Sequence, residues 1–148
     1  ESFTGESPAG WMSPGLRASA HTAELIADAG FSYVCDWCAD DQPFAMGVDD
    51  LLSVPYSLDL NDKGLFGRQG LTGAEYRDAL VDACSTLRRE ANEQGSGRVL
   101  PIPLHTYIAG QSFRAPYLGE VLDRLTRIDD VWFTTADEIA AQYRQHHG

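Results

Sequence analysis

Short apolar runs alternate with amphipathic segments along almost the whole chain, and this alternation restricts the fold more than any other feature. Trp11-Met12-Ser13, between Gly10 and Pro14, reads as a strand end. Ser19 to Ala29 reads as a short helix capped by Ser19 or Thr22 and stopped by Gly30. Phe31–Cys35 and Leu51–Tyr56 have the β-branched and aromatic content of buried strands, with an acidic loop over residues 36–50 between them. A long loop over residues 57–71 precedes the clearest helix. Thr72 and Glu75 form a capping box, Tyr76, Leu80, Ala83 and Leu87 line one helical face, and Gly95 ends it. Val99–Leu104 reads as a short or edge strand, because Pro101 and Pro103 cannot donate ladder bonds. Pro116 suits a first helical position, with Leu118, Val121, Leu122 and Leu125 on the apolar face. Val131–Thr134 reads as a strand, and Thr135 with Glu138 caps a last helix through Ile139 and Tyr143. Strands alternating with helices imply a parallel sheet with right-handed crossovers, either doubly wound or a (β/α) barrel. About five strands in 148 residues make only part of a barrel, which needs eight strands and roughly 250 residues.

Composition excludes some partners. The net charge is −11, which repels nucleic-acid backbones and anionic membranes, so neither is expected as a partner. No apolar run is long enough to span a bilayer. Three cysteines, Cys35, Cys38 and Cys84, do not make a disulfide scaffold and fit a reducing, cytoplasmic setting. Cys35-Asp36-Trp37-Cys38 is a C-x-x-C without a second pair to complete a zinc site, and it reads as two incidental buried cysteines. The chain opens on Glu1 in a turn-like run to Pro8, so an upstream segment is expected.

Several phrases carry chemistry. Gly10-Trp11-Met12-Ser13-Pro14-Gly15 is followed by Ala29-Gly30-Phe31, Tyr33-Val34-Cys35-Asp36-Trp37 and Asp40-Asp41-Gln42-Pro43-Phe44. Val54-Pro55-Tyr56-Ser57, Asn61-Asp62, Leu104-His105-Thr106-Tyr107-Ile108 and Gly110-Gln111-Ser112-Phe113-Arg114 come next. In this order they resemble the polysaccharide deacetylases with NodB homology, carbohydrate esterase family 4. Within that family they are most similar to the branch with the cofactor-independent allantoinases and certain peptidoglycan deacetylases. The resemblance runs over nearly the whole chain but only over the later part of the family pattern. It implies an α/β fold, a partial (β/α) barrel of the polysaccharide-deacetylase type. The family's early Asp-Asp motif and its His-x-x-x-His motif are not found in these residues.

What the resemblance implies for function is hydrolysis of a non-peptide C–N bond. The expected substrate is a small amide, a ureide or an N-acetylated sugar. His105 matches the histidine that protonates the leaving amine. An imidazole suits that step, because amide cleavage expels a poor leaving group that needs a proton near neutral pH. Trp11 matches the third motif region and Asp36, Trp37, Asp40 and Asp41 the fourth, with Trp11, Asp36, Trp37 and Asp41 as substrate-site candidates. Met12 stands where an Arg is usual and cannot donate a hydrogen bond. Arg114 could bind a carboxylate or ring carbonyl by a bidentate fork, or simply cap a helix or bridge to a loop. Tyr56, Asn61 and Asp62 could line the mouth of the site, or serve as turn residues. No metal ligand is assigned, and zinc is expected only with ligands from an N-terminal half of the barrel. The chain alone is expected to be an incomplete catalyst. The alternative is a non-catalytic half-barrel that pairs with an N-terminal fragment or with itself.

Overall fold

The computed structural model describes residues 4–147; the first three residues of the turn-like run expected from Glu1 to Pro8 lie outside them. The chain groups into two compact units. One comprises the chain up to Tyr56 together with the stretch from Thr134 onward, and the other is Ser57–Phe133.

The first unit is built on a four-stranded sheet in the order β1-β2-β4-β3. Its strands are β1 (Gly10–Trp11), β2 (Tyr33–Val34), β3 (Phe44–Ala45) and β4 (Leu52–Ser53). β1, β2 and β4 run parallel, with Gly10 opposite Tyr33 and Tyr33 opposite Leu52. β3 pairs antiparallel with β4, placing Phe44 opposite Ser53. This strand lies inside the acidic stretch expected to be a loop, and it corrects the expectation of a purely parallel sheet.

Successive strand residues point to opposite faces, so each face collects its own core. Tyr33, Leu52 and Val54 pack with Ala140, Ile139 and Tyr143 of α4 (Ala136–His147). Val34 and Leu51 pack with Ile26 and Ala23 of α1 (Thr22–Asp28), together with Phe31, Trp37 and Met46. Gly10 is required where it stands, because a Cβ there would enter the Tyr33 ring. Burial and a hydrogen bond to Asp137 push the Tyr33 phenol well above its ordinary pKa. Arg144 closes the unit by donating to the carbonyls of Ser32 (2.6 Å) and Asp50 (3.0 Å). α1 begins at Thr22, later than expected from Ser19, and its N-cap position is His21, without a side-chain cap.

The second unit is led by α2 (Gly73–Gln94) and α3 (Ala115–Leu125). Thr72 and Glu75 form the expected capping box, and Gly95 ends α2 in the left-handed region at φ 65°. Tyr76, Leu80 and Cys84 are the buried positions of α2, Val121 and Leu125 those of α3, and Leu65 and Phe66 complete the core. Burying side chains of this size contributes about 1.5–3 kcal/mol each. Two ion pairs span the outside, Arg77 to Glu120 (2.8 Å) and Arg88 to Asp130 (2.7 Å). Leu122, expected on the apolar face, is exposed.

Among the described residues, neither Val99–Leu104 nor Val131–Thr134 pairs in a sheet. Pro101 and Pro103 lack the N–H that a ladder needs. In the second stretch the Val131 N–H is taken by the Ile128 carbonyl in a turn (3.1 Å). Residues 57–71 are not simply a loop either, since Lys63–Arg68 form a π-helical turn. No helix among the described residues is long and apolar enough to cross a membrane.

Candidate functional site

In the second unit the chemistry gathers around Asp62. Asn61 precedes the π-helical turn: its carbonyl accepts the N–H groups of Gly64 and Leu65 (both 2.9 Å), and its Oδ1 accepts the Lys63 N–H (2.9 Å). Asn61 is therefore a turn residue. Asp62, one position on, is directed inward and is 0 % exposed. Short π-helical segments are frequent at functional sites because they re-aim one side chain.

A buried carboxylate must be satisfied, and this one is. Its Oδ2 accepts the backbone N–H of His105 (2.7 Å) and of Ala109 (3.3 Å). Its Oδ1 lies 2.6 Å from Nδ1 of His105. The Asp62 N–H in turn donates to the Pro103 carbonyl (3.3 Å). A carboxylate accepting two backbone donors holds the imidazole with Nδ1–H toward it, which leaves Nε2 as the outward nitrogen. His105 is partly exposed, with Tyr107 edge-on to its ring at 5.4 Å. An imidazole held in this way by a carboxylate can transfer a proton at Nε2.

The loop that carries His105 is braced throughout. Ile108 and Ala109 donate to the His105 carbonyl, Gln111 Nε2 donates to the Tyr107 carbonyl, and Arg114 N–H donates to the Gln111 carbonyl. Gly110 allows this path, since a Cβ there would run into the Thr106 carbonyl oxygen. Arg114 stands at the start of α3 without capping it. Its guanidinium lies 4.4 Å from the Phe66 ring centre and 5.0 Å from that of Phe113. No hydrogen bond or ion pair of that guanidinium occurs among the described residues.

In the first unit Asp36 is the organised carboxylate. It is buried, and its two oxygens accept the N–H and the hydroxyl of Ser13 (both 2.6 Å). Ser13 Oγ accepts Nε1–H of Trp11 (3.0 Å), and Trp11 meets Phe31 edge-on at 5.5 Å. Trp11, Ser13 and Asp36 thus form one chain of contacts. Trp37 packs on the core beside α1. Asp40 Oδ1 accepts the Gln42 N–H (3.1 Å) in a local turn, and Asp41 and Tyr56 are half-buried. Cys35 is partly buried; burial first, then the charges of Asp36 and Asp137, push its thiol up to about 11. Cys38 is exposed, which corrects the expectation of a buried pair. No group of three or more His, Cys, Asp or Glu side chains among the described residues could hold a metal ion.

Asp62 is the residue whose role sequence reasoning missed. It appeared only as a residue of the site mouth or of a turn. The one local signal was its place in a polar stretch inside an otherwise apolar region, ahead of the buried Leu65 and Phe66.

The chain is similar to known proteins in sequence and in fold. No family model matches the chain. A Schizosaccharomyces pombe protein provisionally named as a polysaccharide deacetylase is 28% identical over 149 residues, covering 88% of this chain and 46% of its own length. The crystal structure of Puue allantoinase superposes with a TM-score of 0.87 at 31% identity, over 97% of this chain and 48% of that one. A Pseudomonas aeruginosa PAO1 structure, provisionally named as a polysaccharide deacetylase, gives a TM-score of 0.87 at 29% identity, over 97% and 49%. A Mycobacterium smegmatis structure named in the same way gives 0.81 at 27% identity, over 98% and 52%. The chain spans about half the length of the relatives it matches. Its likeness to the polysaccharide deacetylases, carried in the sequence by a series of short motifs, is thus found in both sequence and fold, as an α/β part of a larger barrel.

Proposed function

We propose that this chain is the part of a deacetylase-like hydrolase that delivers the proton to the departing nitrogen of a non-peptide C–N bond. The observation that carries the reading is the double attachment of His105 to the buried Asp62, through main chain and side chain. In this reading Asp62 fixes the imidazole, and Nε2 of His105 protonates the leaving amine as the C–N bond breaks. The edge of the Arg114 guanidinium is available to a carboxylate or carbonyl of the substrate. Trp11, Asp36, Trp37, Asp41 and Tyr56 are substrate-side candidates from the first unit. The substrate class is an N-acetylated sugar, a small amide or a ureide, in keeping with the deacetylase and allantoinase names of the relatives.

The described residues do not form a metal-holding set. Any metal ligands and the base that activates water belong, in this reading, to an N-terminal half of the barrel. The test is hydrolysis of an N-acetylglucosamine oligomer and of a cyclic ureide, with and without zinc. The 148-residue chain alone is expected to give no turnover. Robust turnover by it that disappears in His105→Ala would overturn the need for further residues. Turnover by a longer protein that survives His105→Ala would overturn the role of His105.

A second reading is a non-catalytic half-barrel that joins an N-terminal fragment or another copy. It is favoured by β1, which among the described residues pairs only with β2 and stands at the edge of the sheet. Light scattering decides, because a strict monomer at high concentration argues against self-pairing.

A further inference from the structure

Tyr107 follows His105 by two positions. Its ring stands edge-on to the imidazole, with centroids 5.4 Å apart and planes 73° apart. The main chain sets where it stands. Gln111 Nε2 donates to the Tyr107 carbonyl (2.9 Å), and the N–H groups of Ile108 and Ala109 donate to the His105 carbonyl (2.8 and 3.0 Å). Tyr107 therefore belongs to the same turn that Asp62 anchors through the N–H groups of His105 and Ala109.

The side chain is nevertheless 63 % exposed. Leu104 and Phe113, before and after it in the loop, are exposed as well, at 49 % and 64 %. One exposed aromatic needs no explanation. Three large apolar side chains on one braced loop, about an imidazole whose Nε2 points outward, make a surface suited to a ligand. Holding the Tyr107 ring in place beforehand lowers the ordering cost of binding.

The chemistry of the site selects the ligand. Asp62 occupies Nδ1, so a departing nitrogen meets Nε2. In an N-acetylated sugar that nitrogen is bonded directly to a ring carbon, which brings the pyranose beside the imidazole. With 5.4 Å between the two centroids, the Tyr107 ring is within reach of the same sugar. A pyranose presents a face of C–H bonds, and the electron-rich face of a phenol ring packs against it. A neutral sugar also escapes the repulsion that the net charge of −11 exerts on an anionic ring.

We infer that Tyr107 is a specificity-determining residue that stacks on the sugar ring bearing the nitrogen to be released. It favours an N-acetylated pyranose over a small cyclic ureide, whose polar edge leaves little C–H surface. This narrows the substrate class of the site proposed above and rests on that proposal.

The experiment is an NMR titration of the 148-residue protein with an N-acetylglucosamine oligomer and, separately, with hydantoin as the ureide. The oligomer is expected to shift the Tyr107 ring signals and to bind more tightly than hydantoin. Tyr107→Ala is expected to weaken oligomer binding about tenfold, and Tyr107→Phe to retain it, because the ring face and not the hydroxyl makes the contact. The His105 Nδ1–H signal should persist in Tyr107→Ala, since Asp62 still holds the ring. Should Tyr107→Ala fail to fold, Tyr107→Leu removes the aromatic face while keeping most of the volume. No oligomer binding by the wild type, equal affinity for hydantoin, or unchanged affinity in Tyr107→Ala would each overturn the proposal. So would loss of binding in Tyr107→Phe, or loss of the His105 signal together with affinity, which would make the ring a prop of the loop. Binding is read here without turnover. Hydrolysis by a longer protein that survives His105→Ala would remove the role of His105, while the contact of Tyr107 with the sugar is decided by the titration alone.

Discussion

Asp62 and His105, 43 positions apart in the chain, are joined twice: the His105 N–H donates to Oδ2 at 2.7 Å, and the ring Nδ1 meets Oδ1 at 2.6 Å. The main-chain bond fixes where the histidine begins, and the side-chain bond fixes how its ring is turned. The main-chain bond alone would leave the imidazole free to rotate about χ1 and χ2.

Removing the carboxylate should cost more than a surface ion pair would. Asp62→Ala leaves three buried or partly buried donors without their acceptor, so a loss of about 3 kcal/mol is expected. Urea unfolding checks it: the midpoint should fall at unchanged slope. Asp62→Asn should lose less, because its amide oxygen still accepts a backbone donor. Equal stability of the alanine variant and the wild type would contradict the satisfied-carboxylate account.

Gly110 holds the His105 loop closed. Gly110→Ala places a methyl against the Thr106 carbonyl, a backbone group that cannot step aside. An overpacking cost of about 2 kcal/mol is expected, with loss of the His105 ring N–H signal as the loop opens. Thermal melting and NMR measure the two effects separately.

The two helix-start glutamates give a pH signature. Hydrogen bonds from Thr72 hold Glu75 below its ordinary pKa, and bonds from Thr134 and then Thr135 do the same for Glu138. A pKa lowered by folding means the folded state binds fewer protons there. The stabilisation is therefore complete above the ordinary glutamate pKa and fades as pH falls through the lowered values. Unfolding curves of the wild type and of a Glu75→Gln, Glu138→Gln double variant should differ at neutral pH and converge in acid. A gap that widened in acid would reverse the sign.

The cysteines should react in order of exposure. Cys38 is exposed, Cys35 is partly buried with its thiol raised to about 11, and Cys84 is buried with its thiol raised by desolvation. A thiol reagent followed by mass spectrometry should label Cys38 first and Cys84 last in the native protein. Prompt labelling of Cys35 would contradict its burial.

Local signals were readable where short-range chemistry decides the outcome. The Thr72–Glu75 and Thr135–Glu138 boxes work over three residues, and the helices start where they point. Gly30 and Gly95 stop helices for a reason contained in one residue, the freedom to take φ near +84° and +65°. His105 was legible as a candidate through its motif. Strands were less so: Phe44–Ala45 pairs only because Leu52–Ser53 stands beside it, whereas Val99–Leu104 has strand composition but no ladder.

By itself, then, the sequence determined α2 and α4 with their capping boxes and the α/β class, and marked His105 as a candidate, since each depends on periodicity, on residues a few positions apart or on a short motif. Tertiary structure alone decided which carboxylate serves that histidine, that Tyr76 would be buried with an unmet hydroxyl, and that Asp36 would be tied to Ser13. The physical reason is the same in each case. A buried polar group takes the partner that packing brings within about 3 Å, and that distance is set by the path of the whole chain.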